Sequence, residues 1–395
     1  MKGTYIEINL DNLKHNVKTI KEKYNNYDYY IAVVKGDAYG HGQYIANALE
    51  KSGINYLAVS SLKEANDIRK YNKNIPILLL QPVPIEDLNQ VTKNNLTLVI
   101  HELEYAKKIT ENLKDNLKIH LKIDSGMGRL GFTDKKDLKK CYDLLSKNKL
   151  VEIEGIYSHF ATIGLFDKRW DIQLERFKDI TSEINLKDIP IRHMASSATL
   201  INHPKIEFCN AVRSATLIYG YNISINQSNK GIKNKLKTLR NKLCQKKYNI
   251  SKCYTNIDIN VKKCMKFYTN ILAIKEIKKG DKIGYGAKIK VSENTKIAIL
   301  PLGYNNGIGT KNINRYVVIK GKRYNVLETS MNMTIIKIDD QVTKKDQVIL
   351  MDNENITIGQ LGRFADKHMH EIMLDIGKNN KRVYIEDKKI IHIED

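Results

Sequence analysis

No aliphatic run in this 395-residue chain is long enough to cross a bilayer. The longest lies near "IPILLL", Ile75 to Leu80, whereas a spanning helix needs roughly 20 apolar residues. The opening residues, "MKGTYIEINL", lack the apolar core of a secretory signal. Cysteine is scarce. Cys141, Cys209, Cys244, Cys253 and Cys264 form no CxxC pair and no metal-ligand spacing. They read as reduced thiols, which excludes a disulfide scaffold or zinc module and points to a cytoplasmic protein that binds no metal. Acidic residues are also short: 44 Asp and Glu face 66 Lys and Arg, for a net charge of +22. Such a balance suits a nucleic-acid or anionic-membrane partner, or simply a lysine-rich surface. The lysines are dispersed, which favours the plain surface. Only Lys230 to Lys266 is dense enough in Lys and Arg to form a patch that could hold nucleic acid.

Hydrophobic residues make up 42% of the chain, enough for a packed core, and the length calls for one large or two medium domains. Over the first 220 residues short apolar runs alternate with amphipathic stretches. The runs are "YYIAVVKG", "YLAVSS", "IPILLLQ", "LTLVIH", "IHLKID", "VEIEGIYSH", "IPIRHMAS" and "CNAVRSATLIYG". Eight strand-helix units predict a (β/α)8 TIM-like barrel over residues 1–221. The early run "TYIEINL" precedes the first unit and is free to pair elsewhere. Residues 222–267 are polar and basic and read as a linker with an inserted element, a basic helix around Lys233 to Lys247. From 268 to 395 the texture is β-rich, predicting a mainly β C-terminal domain. "YVVIKGKRYNVL" reads as a hairpin turning at Lys320-Gly321.

Chemistry in such a barrel sits at the C-terminal ends of the strands. The polar residues there are Lys35, Gln81, His101, Asp124, His159, Ser196, Ser197 and Arg213. A lysine at a strand end is costly unless paired or used. Once partly desolvated, or set beside other cations, it can form a Schiff base with an aldehyde. Lys35 has that placement, in "VVKGDAYGHG".

This ten-residue stretch resembles the cofactor-lysine signature of alanine racemases, which are pyridoxal-phosphate (PLP) enzymes built from a barrel and a β domain. The resemblance continues over nearly the whole chain except Asn222 to Phe267. It implies that Lys35 holds PLP and later acts as a base, and that Tyr39 donates to the phosphate. In "LKIDSGMGRLGF", Arg129 would contact the cofactor's phenolic oxygen and the substrate carboxylate. Lys122 there matches a position carbamylated in some members. "GIYSHFAT" sets His159 where the family has a histidine linked to the catalytic tyrosine. "HMASSATL" resembles a phosphate-binding turn, with Ser197 on the phosphate and Ser196 where asparagine is commoner. In "AVRSATLIYG", Arg213 would face the pyridine nitrogen, and the N–H groups of Ala215 and Thr216 would help bind phosphate. "KIGYGAKIK" resembles the segment that carries the second base, Tyr285. "LPLGYNNG" would set Tyr304 at the entrance, and the Met331 N–H of "ETSMNMT" on the substrate carboxylate.

An α-hydrogen of a free amino acid is too weak an acid to leave at neutral pH, and PLP supplies the electron sink. Inversion takes a proton from one face and returns one to the other, so two bases are expected, Lys35 and Tyr285. A tyrosine titrates near ~10 and needs nearby positive charge or a polar relay, for which His159 and Arg213 are candidates. The resemblance further implies a homodimer in which the tyrosine of one subunit completes the site of another, and a role in supplying D-alanine for peptidoglycan. Three departures leave the substrate open between alanine, serine and a broader set. Ser196 is one, and Asn332 replaces the usual aspartate. In "HMHEIMLDIGKNNKRVY", His370 stands where the family has a phosphate-binding tyrosine. The related vancomycin-resistance serine racemases also vary there. A PLP decarboxylase usually carries a cysteine across from the lysine, and none follows Cys264. A non-catalytic PLP-binding barrel would lack the β domain. The rival of another class is a basic nucleic-acid-binding protein using residues 230–266, for which no DNA- or RNA-binding motif is present.

Overall fold

The computed structural model describes residues 3–163, 168–225, 231–251, 253–311 and 314–395. Of the 222–267 segment and its basic patch, residues 226–230 and 252 lie outside the described residues, Lys230 among them. The chain forms two compact units. One comprises Leu13–Lys35 and Ala46–Lys262; the other comprises Met1–Asn12, Gly36–Ile45 and Lys263–Asp395. No helix among the described residues is long and apolar enough to cross a membrane.

Strand β1 (Tyr5–Asn9) opens the chain. The first unit is then built on β2 (Tyr29–Val33), β3 (Tyr56–Val59), β4 (Ile77–Leu79) and β5 (Leu96–Ile100). It continues with β6 (Leu117–Lys122), β7 (Val151–Tyr157), β8 (Ile191–Ser196) and β9 (Ala211–Ser214). Neighbours pair in parallel, and β9 returns to β2 with Ile31 opposite Arg213, closing the barrel. Strands covered on both faces read as continuous apolar runs rather than alternating ones. All five residues of β5, "LTLVI", are buried. The (β/α)8 fold is therefore the one that the sequence pattern predicts.

The second unit holds β10 (Met265–Asn270), β11 (Ala273–Ile277), β12 (Lys282–Ile283), β13 (Ile289–Lys290), β14 (Thr295–Leu300) and β15 (Tyr316–Ile319). After these come β16 (Lys322–Thr329), β17 (Thr334–Ile338), β18 (Gln347–Met351), β19 (Lys381–Glu386) and β20 (Lys389–Glu394). Ten strands form one sheet in the order β11-β14-β17-β16-β15-β18-β10-β1-β19-β20. The hairpin between β15 and β16 turns at Lys320 and Gly321, both at positive φ (49° and 77°). Positive φ at both central residues matches the twist of the flanking strands. A basic helix spans Ile232–Lys247.

The expected division into 1–221, a 222–267 linker and 268–395 needs three corrections, the first being that residues up to Lys262 belong to the barrel unit and β10 already begins at Met265. β1 pairs with β10 (Tyr5 opposite Tyr268) and β19 (Tyr5 opposite Lys381), so the first strand belongs to the β sheet. Residues Gly36–Ile45 also belong to the β unit. There the backbone runs left-handed, with φ of 63°, 53°, 52° and 53° at Gly36, Asp37, Ala38 and Tyr39. For three L-residues this conformation costs roughly 3–6 kcal/mol, so surrounding contacts must enforce it. Gly40 N–H donates to Gly36 O (3.1 Å), and Gly42 N–H to Asp37 O (3.0 Å). The Asp37 carboxylate pairs with Arg382. The His41 ring Nδ1 lies 3.0 Å from Ala38 O and 3.1 Å from Tyr39 O. Burial first of all lowers that imidazole to about 4, so it is neutral and Nδ1–H donates. The helix Met369–Lys378 closes over the turn. A Cβ on Gly40 would lie 2.1 Å from Met373 O, and one on Gly377 would lie 2.2 Å from Gly40 O. Gly40→Ala is expected to destabilise the protein by roughly 2–4 kcal/mol, through strained φ and a backbone clash. A lowered urea midpoint at unchanged m-value would register this; an unchanged midpoint would contradict the packing.

Candidate active site

Apolar strands line most of the barrel, but one chain of polar groups crosses its interior. Arg213 on β9 is buried, with Nη1 2.6 Å from His193 Nδ1. His193 Nε2 lies 2.9 Å from His120 Nδ1, and His120 Nε2 lies 3.5 Å from Glu154 Oε2. His120 is on β6 and His193 on β8, which are not neighbours, so their contact spans the lumen. Gly155 makes room for it, since a Cβ there would sit 2.4 Å from the His120 ring. Arginine only donates. His193 Nδ1 must therefore accept, its Nε2–H donates to His120 Nδ1, and His120 Nε2–H faces Glu154. One proton arrangement is consistent along the chain, with a cation at one end and, 3.5 Å beyond His120 Nε2, a carboxylate at the other. Burial, then the Arg213 charge, drives His193 well below the usual imidazole range, and burial lowers His120 as well. At the far end Glu154 accepts from Tyr56 Oη (2.6 Å) and Lys118 Nζ (2.8 Å).

At the other end of this chain are the strand-end cations. Arg213 Nη2 donates to Ser158 O (2.7 Å) and to His159 Nδ1 (3.1 Å). Burial foremost, then the charges of Arg213, Lys122, Arg129 and Lys35, lowers His159 to about 3. It is thus a neutral acceptor at physiological pH. Lys122 is buried, with Nζ 4.5 Å from the centre of the Tyr157 ring. The Arg213 guanidinium lies 5.1 Å from that ring, and Tyr157 stacks on His193. Burial, with Arg213 and Arg129, lowers Lys122 to about 7. Lys35 is lowered too, by burial and then by Arg129, with Glu64 opposing and Arg213 assisting.

Arg129 owes its position to an aspartate-centred loop. Asp124 Oδ1 accepts from the N–H groups of Gly126 (3.0 Å), Met127 (2.7 Å) and Gly128 (3.2 Å), and Oδ2 from that of Arg129 (2.6 Å). Burial raises the carboxyl, but these donors outweigh it and hold it below the usual range. Among the described residues no carboxylate forms an ion pair with Lys35, Lys122, Arg129 or Arg213. These basic groups therefore converge without a direct carboxylate partner, Glu64 and Asp124 acting only from farther off.

Ser197 Oγ accepts from Ala215 N–H (2.8 Å) and lies 3.2 Å from Ser214 Oγ. The Ala215 donor is thus engaged by the protein's own serine, while Thr216 is buried one residue on. Ser196 Oγ turns to Thr199 Oγ1 (3.4 Å). Gln81 and His101 do not join the cluster in any interaction described; His101 packs 5.2 Å from the Tyr105 ring.

In the β unit the structure brings Tyr39 and His370 together, ring edge to face with centroids 5.5 Å apart. A second group gathers around Glu328–Met331. Tyr285 N–H donates to Glu328 Oε1 (3.0 Å), and Tyr304 N–H to Ser330 O (3.0 Å). Gly303 permits that approach, because a Cβ would sit 2.1 Å from Ser330 O. Tyr285 is 82% exposed, and Tyr304 and Met331 are exposed beside Asn332.

Sequence reasoning missed Tyr157, His193, His120 and Glu154. The signal was present: inside a barrel strand every second residue faces the lumen, so His120 shares a face with Lys122.

A closed parallel barrel with a strand-end lysine among arginines, joined to a β-rich unit, defines a class of lysine-bearing barrel enzymes. The models named "Alanine racemase, N-terminal domain" and "Alanine racemase, C-terminal domain" match residues 8–223 and 264–384. The chain belongs to the alanine racemase family of isomerases. An alanine racemase of Borreliella burgdorferi is 31% identical over 391 residues, covering 96% of this chain and 97% of its own. The solved alanine racemase of Clostridium difficile 630 superposes with a TM-score of 0.85 at 29% identity, covering 100% of this chain and 98% of that one. A histidine racemase from Leuconostoc mesenteroides shares the fold at 21% identity, with a TM-score of 0.82 and 98% and 99% of the two chains covered.

The lumen chain sets an acid limit on stability. Against burial, its hydrogen bonds and the nearby His120 hold Glu154 at about 2, below the free value of 4.5. A carboxyl lowered on folding contributes stability that is present above its unfolded pKa and lost as pH falls toward the folded one. Wild-type stability is expected to drop between pH 4.5 and about 2, with that slope reduced in Glu154→Gln. Parallel urea titrations across this range check it; identical slopes would contradict the assignment.

Proposed function

We propose that this chain is a PLP-dependent amino-acid racemase that interconverts L- and D-alanine. The observation that carries the reading is Lys35, an amine lowered by burial and by Arg129 and Arg213 at the end of a barrel strand. The residues fit the cofactor chemically, because the barrel concentrates cationic donors that lack a direct carboxylate partner. Lys35 would hold the aldehyde and Arg213 would meet the ring nitrogen. Arg129 would meet the phenolic oxygen, and Tyr39, Ser197, Thr216 and His370 would meet the phosphate. When bound, PLP supplies the electron sink that makes the α-proton of an attached amino acid removable.

The remaining steps belong to the protein. Lys35 Nζ moves the proton on one face of the substrate and Tyr285 Oη on the other. Arg213 remains charged, since burial lowers it only to about 10. It would therefore donate to the cofactor's ring nitrogen without protonating it. Arg129 and the Met331 N–H orient the substrate carboxylate, and Tyr304 borders the entrance. Lys122, at about 7, is substantially neutral at physiological pH. Such an amine can add carbon dioxide and release a proton, leaving an anionic carbamate between two arginines. The high exposure of Tyr285 supports a homodimer in which this phenol serves the partner's barrel. The same reading makes the protein a cytoplasmic source of D-alanine for peptidoglycan.

His370, Ser196 and Asn332 favour a second reading, turnover of serine or a broader set. Purified protein with added PLP is expected to racemise L-alanine faster than L-serine, as followed by loss of optical activity. A strong preference for serine would overturn the alanine assignment. Lys35→Ala is expected to lose activity together with the visible absorbance that the wild type gains with PLP.

Mixing tests the shared site separately. Lys35→Ala chains refolded with Tyr285→Phe chains are expected to recover activity above either variant alone. No recovery would argue against a phenol donated across subunits.

A further inference from the structure

The helix Ile232–Lys247 is inverted relative to an ordinary surface helix, which turns its apolar stripe inward. Here Ile232, Leu236, Leu239 and Leu243 are 78%, 61%, 56% and 60% exposed. The helix's buried residue is the polar Asn241, at 6% exposure, with Thr238 and Gln245 half-buried on the same side. The helix thus sits on its polar face and shows its apolar face to solvent. Steps of four, three and four between the exposed residues are the spacing of a coiled-coil seam, with Leu236 and Leu243 at a and Ile232 and Leu239 at d.

In that register every flanking e and g position is basic: Lys233, Lys235, Arg240, Lys242 and Lys247. The helix contains no Asp or Glu. Flanking charges of this kind set partner choice in coiled coils. A second copy of the helix would bring cation against cation in either direction, which excludes self-pairing here. The stripe is also narrow. A helix lying in a bilayer interface uses a broad apolar face, commonly with aromatic residues, and lysines close in on both sides of this one. Nucleic acid would leave the leucines unmatched.

We propose that this helix is a docking seam for a partner helix with apolar a and d positions and acidic e and g positions. The seam from Ile232 to Leu243 is roughly 17 Å long, from the rise per residue of an α-helix. It is independent of the residues assigned to catalysis.

The test uses the full-length protein and a synthetic three-heptad peptide with Leu at a and d and Glu at e and g. Its controls are a matched peptide with Lys at e and g, and phosphatidylglycerol vesicles. Calorimetric titration is expected to show saturable binding of the Glu peptide alone, weakened at least about tenfold at high salt. Leu236→Asp with Leu239→Asp is expected to abolish binding while racemase turnover and the urea midpoint stay as in wild type. Reversing the flanks (Lys235→Glu, Arg240→Glu, Lys242→Glu) is expected to switch preference to the Lys peptide. No binding, equal binding of both peptides, or retention on vesicles that the leucine variant loses would overturn the proposal. So would a change of molar mass in the leucine variant, because the stripe would then be covered by a second copy.

Discussion

Arg213 is a permanent cation that can only donate, buried at the end of β9 in a barrel whose strands are mostly apolar. Burying such a charge is costly unless every donor finds an acceptor. The barrel answers with backbone carbonyls and two histidines kept neutral by the same burial. Because Arg213 cannot accept, His193 and His120 have their tautomers set in turn, and the sequence ends at the Glu154 carboxylate. A group placed at the Arg213 end therefore meets a donor whose orientation is already fixed, with little left to reorganise.

The same field acts on the amines. Burial foremost, then the charges of Arg129 and Arg213, raises the cost of a charge on Lys35 and on Lys122. Both lysines are lowered as a result. A barrel mouth holding this much unmatched positive charge is complementary to an anionic ligand and to an amine that must react as a free base. The lysine signature also has a backbone side. Immediately after Lys35 the chain enters a left-handed turn that L-residues avoid. It persists because Asp37 is tied to Arg382, and Gly40 lies against Gly377 too closely for any Cβ.

How much of this was legible follows from what kind of signal each element leaves. The barrel strands were readable because burial on both faces demands unbroken apolar runs. The hairpin at Lys320-Gly321 was readable because only a few residue pairs suit two positive φ values. Lys35, Asp124, His159 and Arg213 stood out as polar ends to apolar runs, whereas Arg129 was marked only by the family resemblance. His120 and His193 lie within strands, where they look like isolated blemishes. Only pairing across the lumen shows that they touch. The membership of β1 in the sheet was equally hidden, since its partners, Tyr268 and Lys381, lie hundreds of residues away.

The sequence by itself determined the strand-helix alternation, the family signature around Lys35, and the apolar spacing and one-signed charge of the Ile232–Lys247 helix. These are local properties, set by periodicity and side-chain chemistry along a few turns or strands. Tertiary structure decided which charges share one low-dielectric space, which tautomer each buried histidine holds, and which face of that helix points to water. Those outcomes depend on distances between residues far apart in the chain, and such distances exist only once the barrel has closed and the helix has settled on its polar side.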